Sequence, residues 1–222
     1  MKIKTAASLM CADLKNLAQD VKKLEKGGID WLHFDIMDGH FVLNLTLGLP
    51  ILKSLRDKTS LPFDVHLQVN NPEKLIPIFA KIGADIITFH AESTHHLYRM
   101  IQVIKEKGKK ASLALCPATP LNHIEYILPQ VDMVVLMTVE SGFAGQNFIS
   151  EMIPKIRHLK EMIDERGLEI DIQVDGNIDE VTVPQTKKAG ANIFVAGTSS
   201  IFSGKRDLEE ATRQFKKICE QS

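Results

Sequence analysis

The chain has 222 residues, of which 44% are hydrophobic, and its 27 basic against 28 acidic residues give a formal net charge of −1. This length and composition predict one domain, residues 1–222, with a sizeable buried core. The near-neutral charge provides no global field for nucleic acid or an anionic membrane, so the expected partner is a small molecule.

Eight apolar, β-branched runs alternate with eight amphipathic stretches along the chain. The predicted strands are Ile3–Ser8, Trp31–Ile36, Pro62–Leu67, Asp85–His90, Ala111–Leu115, Met133–Thr138, Ile170–Val174 and Ile193–Ala196. The predicted helices are Asp13–Lys26, Pro50–Asp57, Pro72–Lys81, Thr94–Lys107, Leu121–Leu128, Ser150–Arg166, Asp179–Lys188 and Asp207–Cys219. Short strands followed by one-sided helices require parallel pairing, and eight such units predict a closed (β/α)8 barrel.

Three cysteines, Cys11, Cys116 and Cys219, lie far apart and form no CxxC pair. Their odd number argues against a disulfide framework or a thiolate zinc site and indicates a reducing compartment. The N-terminal stretch has no long apolar segment of the kind found in signal peptides, and no apolar run reaches the length of a membrane-spanning helix. We therefore expect a cytoplasmic protein.

Metal-binding residue types recur at the C-terminal ends of predicted strands, which share one face of a parallel barrel. The residues concerned are His33, Asp35, His66 and Asp175. Two imidazoles with two carboxylates suit zinc, and manganese, iron or cobalt fit as well. The alternative is that each histidine is a satisfied core residue and that each aspartate caps the next helix. His90 is open in the same way, as a pocket-wall or a core residue.

Three glycine-containing turns follow the late strands: Ser141–Gln146, Asp175–Asn177 and Gly197–Ser200. Exposed backbone amides at such turns bind phosphate oxygens, and barrels commonly place a phosphate site after strands seven and eight. The turns could also be no more than tight connections. Their common location at one end of the predicted barrel favours the phosphate site.

Longer motifs cover nearly the whole chain. They are SLMCADL at Ser8–Leu14, HFDIMDGHFVLN at His33–Asn44, DVHL at Asp64–Leu67, HAE at His90–Glu92, PATPL at Pro117–Leu121, GFAGQNFI at Gly142–Ile149, VDGN at Val174–Asn177 and AGTSSIF at Ala196–Phe202. Through them the chain resembles the ribulose-phosphate 3-epimerase family. The strings MDGHFVLNLTL, MTV before GFAGQ, and GTSSIF look closest to the branch that epimerises allulose 6-phosphate.

This resemblance implies a ribulose-phosphate-binding barrel that epimerises C3 of a ketose phosphate. The reaction would convert D-ribulose 5-phosphate to D-xylulose 5-phosphate, or D-allulose 6-phosphate to D-fructose 6-phosphate, with Asp35 and Asp175 as the acid–base pair acting through an enediolate. One divalent ion would be bound by His33, Asp35, His66 and Asp175. The implied substrate contacts are Ser8, Met37, His66, Met137, Gly142, Phe143, Ala144, Gly145, Gly176, Asn177, Gly197 and Thr198. The sequence leaves a homo-oligomer open.

The chain also departs from the family pattern. The departures are Gln68 for Met, Cys116 for Asn, Ser141 for Pro, Ala144 for Gly and Asn177 for a second Gly. Gln68, Ser141 and Asn177 leave open a sugar-phosphate-binding barrel without turnover, although the intact carboxylates speak against it. A lyase or decarboxylase would need a lysine at a strand end, and no predicted strand end carries one.

Overall fold

Eight parallel strands close into a barrel in the computed structural model, which describes residues 2–221. The strands are β1 (Lys4–Ser8), β2 (Trp31–Met37), β3 (Phe63–Gln68), β4 (Ile86–His90), β5 (Lys110–Leu115), β6 (Met133–Met137), β7 (Asp171–Asp175) and β8 (Ile193–Ala196). Each strand pairs in parallel with its sequence neighbours, and β8 pairs with β1. The predicted (β/α)8 barrel is confirmed.

Within residues 2–221, seven α-helices follow the strands. They are α1 (Leu17–Gly27), α2 (Leu49–Arg56), α3 (Ile76–Lys81), α4 (Leu97–Glu106), α5 (Met152–Glu165), α6 (Thr182–Ala189) and α7 (Leu208–Gln221). Glycine ends α1 and α6, because Gly28 and Gly190 adopt the left-handed conformation of a helix cap. None of these helices is both long and apolar enough to cross a membrane.

The helix predicted over Leu121–Leu128 is wrong. Two short 3-10 turns, Leu121–His123 and Leu128–Gln130, connect β5 to β6 instead. An α-helix over this segment could not continue through Pro129, which has no backbone N–H and whose ring clashes with the carbonyl oxygen one turn earlier. The other predicted helices and strands agree with the structure to within about a turn, with a 3-10 turn at Pro72–Lys74 before α3.

The barrel wall separates two cores. Outward-facing strand residues such as Phe34, Phe89 and Phe194 pack against the helices and are fully buried. Inside the barrel, Trp31 and Met133 belong to a second apolar cluster and lie at the N-terminal ends of their strands. Toward the C-terminal ends of β2 and β3 the inward positions become polar, and this change creates the candidate site.

Candidate active site

Two histidines and two aspartates meet at the C-terminal end of the barrel: His33 and Asp35 on β2, His66 on β3 and Asp175 on β7. Each offers one ligand atom, and these atoms all lie within 4.8 Å of one another. His33 Nε2 is 3.4 Å from Asp35 Oδ1 and 3.7 Å from Asp175 Oδ2. His66 Nδ1 is 3.5 and 3.7 Å from the same two oxygens. All four residues predicted from the sequence are therefore in one cluster.

The cluster fits a divalent cation. His33 Nδ1 lies 2.7 Å from Asp64 Oδ2, so Nδ1 holds a proton and directs Nε2 toward the two carboxylates. His33 Nε2 is buried and has no hydrogen-bond partner among the described residues. An unpaired buried polar atom costs about 1–3 kcal/mol, and a cation between His33, Asp35 and Asp175 would remove that cost.

The electrostatics of the cluster also favour positive charge. Burial disfavours the charged form of His33, but the negative charges of Asp35 and Asp64 outweigh burial and raise the His33 pKa well above its ordinary value. For His66, burial is likewise outweighed by hydrogen bonding to Asp175 and Asp35, so its pKa is raised. Burial opposes ionisation of Asp35, yet the neighbouring His33 charge lowers the Asp35 pKa. Protons on the imidazoles thus occupy the place that a metal ion would take.

Three neighbours hold Asp35 in place. Ser8 Oγ donates a hydrogen bond of 2.6 Å to Asp35 Oδ2, and Gln68 Nε2 donates one of 2.9 Å to Asp35 Oδ1. The Thr46 hydroxyl donates to the main-chain oxygen of Asp35. A carboxylate bonded on both oxygens has little freedom to rotate, so its orientation toward the two histidines is fixed before any ligand binds.

The second histidine is oriented by a chain of hydrogen bonds. His66 Nε2 lies 3.0 Å from His90 Nε2, and His90 Nδ1 lies 3.3 Å from Glu92 Oε2. When His66 Nδ1 is unprotonated and faces a cation, the His66 Nε2–H donates to His90 Nε2, and the His90 Nδ1–H donates to Glu92. Burial lowers the pKa of His90 to about 4, so this ring is neutral. His90 is a fully buried residue behind His66 rather than part of the pocket wall.

An open pocket reaches Asp35 and Asp175. Eleven of the twelve predicted substrate contacts line it: Ser8, Met37, Met137, Gly142, Phe143, Ala144, Gly145, Gly176, Asn177, Gly197 and Thr198. The twelfth, His66, is fully buried next to it. Lining residues that were not predicted as contacts include Met10, Cys11, Gln68, Gln146 and Ser199. Proximity to Ser8 and to the turn at Gly197–Ser200 was the available signal for Met10, Cys11 and Ser199.

Close packing requires glycine in the turn after β7. Gly176 has a φ of +118°, and an added Cβ would lie 2.5 Å from Val139 Cγ2. The following Asn177 also has a positive φ, of 52°. On the facing side, Asn44 Nδ2 donates a hydrogen bond of 2.8 Å to the Gly142 oxygen. The loop after β2 is thereby fastened to the Gly-rich turn after β6.

Two of the departures from the family pattern contact each other. Cys116 Sγ lies 3.7 Å from Ser141 Oγ and 3.5 Å from His90 Nδ1. Burial and the neighbouring Glu92 charge raise the Cys116 pKa to about 12, so this residue is a neutral thiol. The pair fills the space between the loops after β5 and β6 without adding charge to the site.

Comparison with known proteins decides the family. The model of the ribulose-phosphate 3 epimerase family matches residues 4–202. The chain belongs to the ribulose-phosphate 3-epimerase family. The ribulose-phosphate 3-epimerase of Bacillus subtilis is 46% identical over 215 residues, covering 96% of this chain and 98% of that protein. The corresponding Escherichia coli K12 protein is 42% identical over 217 residues, covering 96% of each chain. The protein is therefore a carbohydrate epimerase.

More distant solved structures share the barrel. A KGPDC structure from Streptococcus mutans has a TM-score of 0.74 at 15% identity, covering 100% of this chain and 99% of that chain. A tryptophan synthase α-subunit from Pyrococcus furiosus has a TM-score of 0.68 at 17% identity, covering 100% and 98%. At these identities the similarity extends to the fold alone. The curated relatives reported above carry the ribulose-phosphate name and give no support to the allulose branch.

Proposed function

We propose that this protein catalyses metal-dependent epimerisation at C3 of D-ribulose 5-phosphate, giving D-xylulose 5-phosphate. The observation that carries the proposal is the pair of carboxylates, Asp35 and Asp175, in one pocket with two imidazoles between them. The names of the curated relatives favour this pentose phosphate. D-Allulose 6-phosphate is the second candidate, on the motifs MDGHFVLNLTL and GTSSIF.

The phosphate would bind at the glycine turns after β6, β7 and β8. No lysine or arginine is among the described residues that line the pocket. A phosphate there would therefore be held by backbone amides near Gly142, Gly176 and Gly197 and by the hydroxyl groups of Thr198 and Ser199. This end of the pocket is formed by loops separate from β2 and β3, so it would position the sugar without taking part in proton transfer.

Asp35 and Asp175 would be the acid and the base. They come from β2 and β7, so the carboxylates approach a bound ketose from different sides. One would remove the C3 proton and the other would return a proton to the opposite face, through an enediolate. Met37 and Met137 line the same pocket and offer no proton donor that could compete. Which aspartate acts first depends on the configuration of the epimer supplied.

His33, Asp35, His66 and Asp175 would hold the divalent ion, with zinc as the first candidate and manganese, iron or cobalt as the others. Its positive charge would stabilise the negative charge that develops on the sugar oxygens. Ser8 would keep Asp35 aligned during the reaction, since its hydroxyl already donates to Asp35 Oδ2. We also propose that the chain acts as one barrel domain. A cytoplasmic location is supported by its three free cysteines. A homo-oligomer is compatible with this function.

The direct test offers both sugar phosphates to protein stripped of metal and then reloaded with each candidate ion. We expect epimerisation only after reloading, with a higher kcat/KM for D-ribulose 5-phosphate than for D-allulose 6-phosphate. His66→Ala should lose about one bound ion per chain, because an imidazole ligand is removed. Full activity in the stripped protein, or full metal content in a folded His66→Ala protein, would contradict the metal assignment.

A further inference from the structure

Gln68 lines the pocket and also contacts two residues of the metal-binding cluster. It ends β3, pairs with Met37 in the β2–β3 register and is 1% exposed. Its side-chain Nε2 is 2.9 Å from Asp35 Oδ1 and 3.4 Å from His66 Nδ1. Both atoms belong to the set that faces the proposed ion.

These two distances are the spacing of ligand atoms around one ion. Ligand atoms bound at about 2.1 Å and at right angles to one another lie about 3 Å apart. The amide end of Gln68 is as near to Asp35 Oδ1 and His66 Nδ1 as those two atoms are to each other, at 3.5 Å. The amide therefore occupies a fifth corner of the cluster.

The orientation of the amide leaves one of its ends unsatisfied. Gln68 Nε2 points to the two acceptors, while Gln68 Oε1 is buried and has no hydrogen-bond partner among the described residues. A cation bound to Asp35 Oδ1 and His66 Nδ1 would lie next to the Gln68 amide hydrogens, which carry partial positive charge and would repel it. Rotating the amide by half a turn exchanges its two similarly sized ends and presents the unpaired carbonyl oxygen to the cation.

We propose that Gln68 is a fifth protein ligand of the divalent ion, through its side-chain carbonyl oxygen, and that it shifts the metal preference of this chain from Zn²⁺ toward Mn²⁺. The proposal rests on the proposed metal site. Amide carbonyl oxygens suit hard ions that take five or six ligands, whereas thioethers suit soft ions. Zinc is already satisfied by four ligands, so it gains less from a fifth.

The test measures metal binding without substrate. Mn²⁺ and Zn²⁺ dissociation constants would be determined for metal-free wild type, Gln68→Met and Gln68→Glu by competition with a chelating dye at one pH. Loss of the ligand in Gln68→Met should weaken Mn²⁺ binding by about tenfold or more and Zn²⁺ binding much less. Gln68→Glu keeps an oxygen ligand and should bind Mn²⁺ at least as tightly as wild type.

Thr88→Val is the matched control. Thr88 pairs with His66 in the β3–β4 register and is buried, and its hydroxyl has no hydrogen-bond partner among the described residues. This substitution changes a polar neighbour of the same ligand without changing any atom at the proposed fifth corner. The ratio of the Mn²⁺ to the Zn²⁺ dissociation constant should remain that of wild type.

Solvent relaxation provides a second readout. The position that Gln68→Met vacates on bound Mn²⁺ should be filled by water, so the ion should relax solvent protons faster than in wild type. The ligand role would be overturned if Gln68→Met left the ratio of the Mn²⁺ to the Zn²⁺ dissociation constant unchanged. It would also be overturned if Gln68→Met and Gln68→Glu weakened Mn²⁺ binding equally. Wild type that binds neither ion would overturn the metal site itself, and the ligand role with it.

Discussion

Replacing Asp64 should weaken metal binding although this residue does not line the pocket. Asp64 is fully buried inside the barrel, and its Oδ2 accepts hydrogen bonds from His33 Nδ1, at 2.7 Å, and from Gln173 Nε2, at 2.8 Å. The first bond keeps the proton of His33 on Nδ1 and leaves Nε2 free for the ion. Asp64→Asn retains an oxygen that can accept both bonds but removes the charge, whereas Asp64→Ala removes the acceptor entirely.

The size of the effect follows from these contacts. Loss of a partner that orients a metal ligand typically costs 10- to 100-fold in affinity, which is about 1.4–2.8 kcal/mol. We expect Asp64→Asn near the lower end and Asp64→Ala near the upper end. The alanine variant also leaves two buried donors without an acceptor, which should lower the free energy of unfolding by about 1–3 kcal/mol for each donor.

Dissociation constants for Zn²⁺ and Mn²⁺, with urea unfolding of the metal-free protein, would measure both effects. Asp171→Asn is the matched control, because Asp171 lies at the N-terminal end of β7 and pairs with Lys4 at 2.8 Å, away from the site. It should leave metal affinity unchanged. A folded Asp64→Ala protein that binds metal as tightly as wild type would refute the orienting role of this carboxylate.

Metal affinity, followed by titration calorimetry, should rise as the pH rises above about 6.5, because the raised pKa values of His33 and His66 mean that the ion must displace their protons. Over the same interval the metal-free protein should lose stability in urea unfolding, since the folded state binds these protons more tightly than the unfolded state and releases them only as the pH rises. A metal affinity that stays constant from about pH 6 to about pH 9 would contradict the first expectation, and an unfolding free energy of the metal-free protein that stays constant over that interval would contradict the second. Gly176→Ala should raise the KM for the sugar phosphate, because its Cβ would meet Val139 at 2.5 Å, whereas Gly108→Ala, also at positive φ but with no atom within 4 Å, should not. Free ribulose should lose turnover as well as affinity, since binding energy at the phosphate end positions C3, and comparable rates with and without the phosphate would contradict this.

The local sequence pattern is enough to predict the barrel and the four candidate metal ligands. The two-residue period of a strand places His33 and Asp35 on one inward face, and parallel pairing brings His66 beside Asp35. The same period puts Asp64 inward, but its partners could not be predicted. His33 and Gln173 are 31 and 109 residues away from it in the chain, and only the closed barrel brings them together.

The incorrect helix illustrates a different limit. Leu121, Ile124 and Leu128 have the spacing of one helix face, and all three are buried as that pattern predicts. Burial can be achieved without a helix, however, and the flanking prolines favour two 3-10 turns. The contacts of Gln68 could not be predicted from the sequence for another reason. A departure from a family motif does not indicate which atoms the new side chain reaches.

Turnover of D-ribulose 5-phosphate in D2O by the metal-loaded protein tests most directly whether Asp35 and Asp175 transfer the C3 proton. We predict solvent deuterium at C3 of the product, detected by NMR, and epimerisation slowed by roughly 10²–10⁴-fold in Asp35→Asn and in Asp175→Asn. The variant that lacks the base for a given epimer should also stop exchanging its C3 proton, and this asymmetry should reverse when the other epimer is supplied. Product without deuterium at C3, or near wild-type rates in both variants, would contradict the two-carboxylate mechanism.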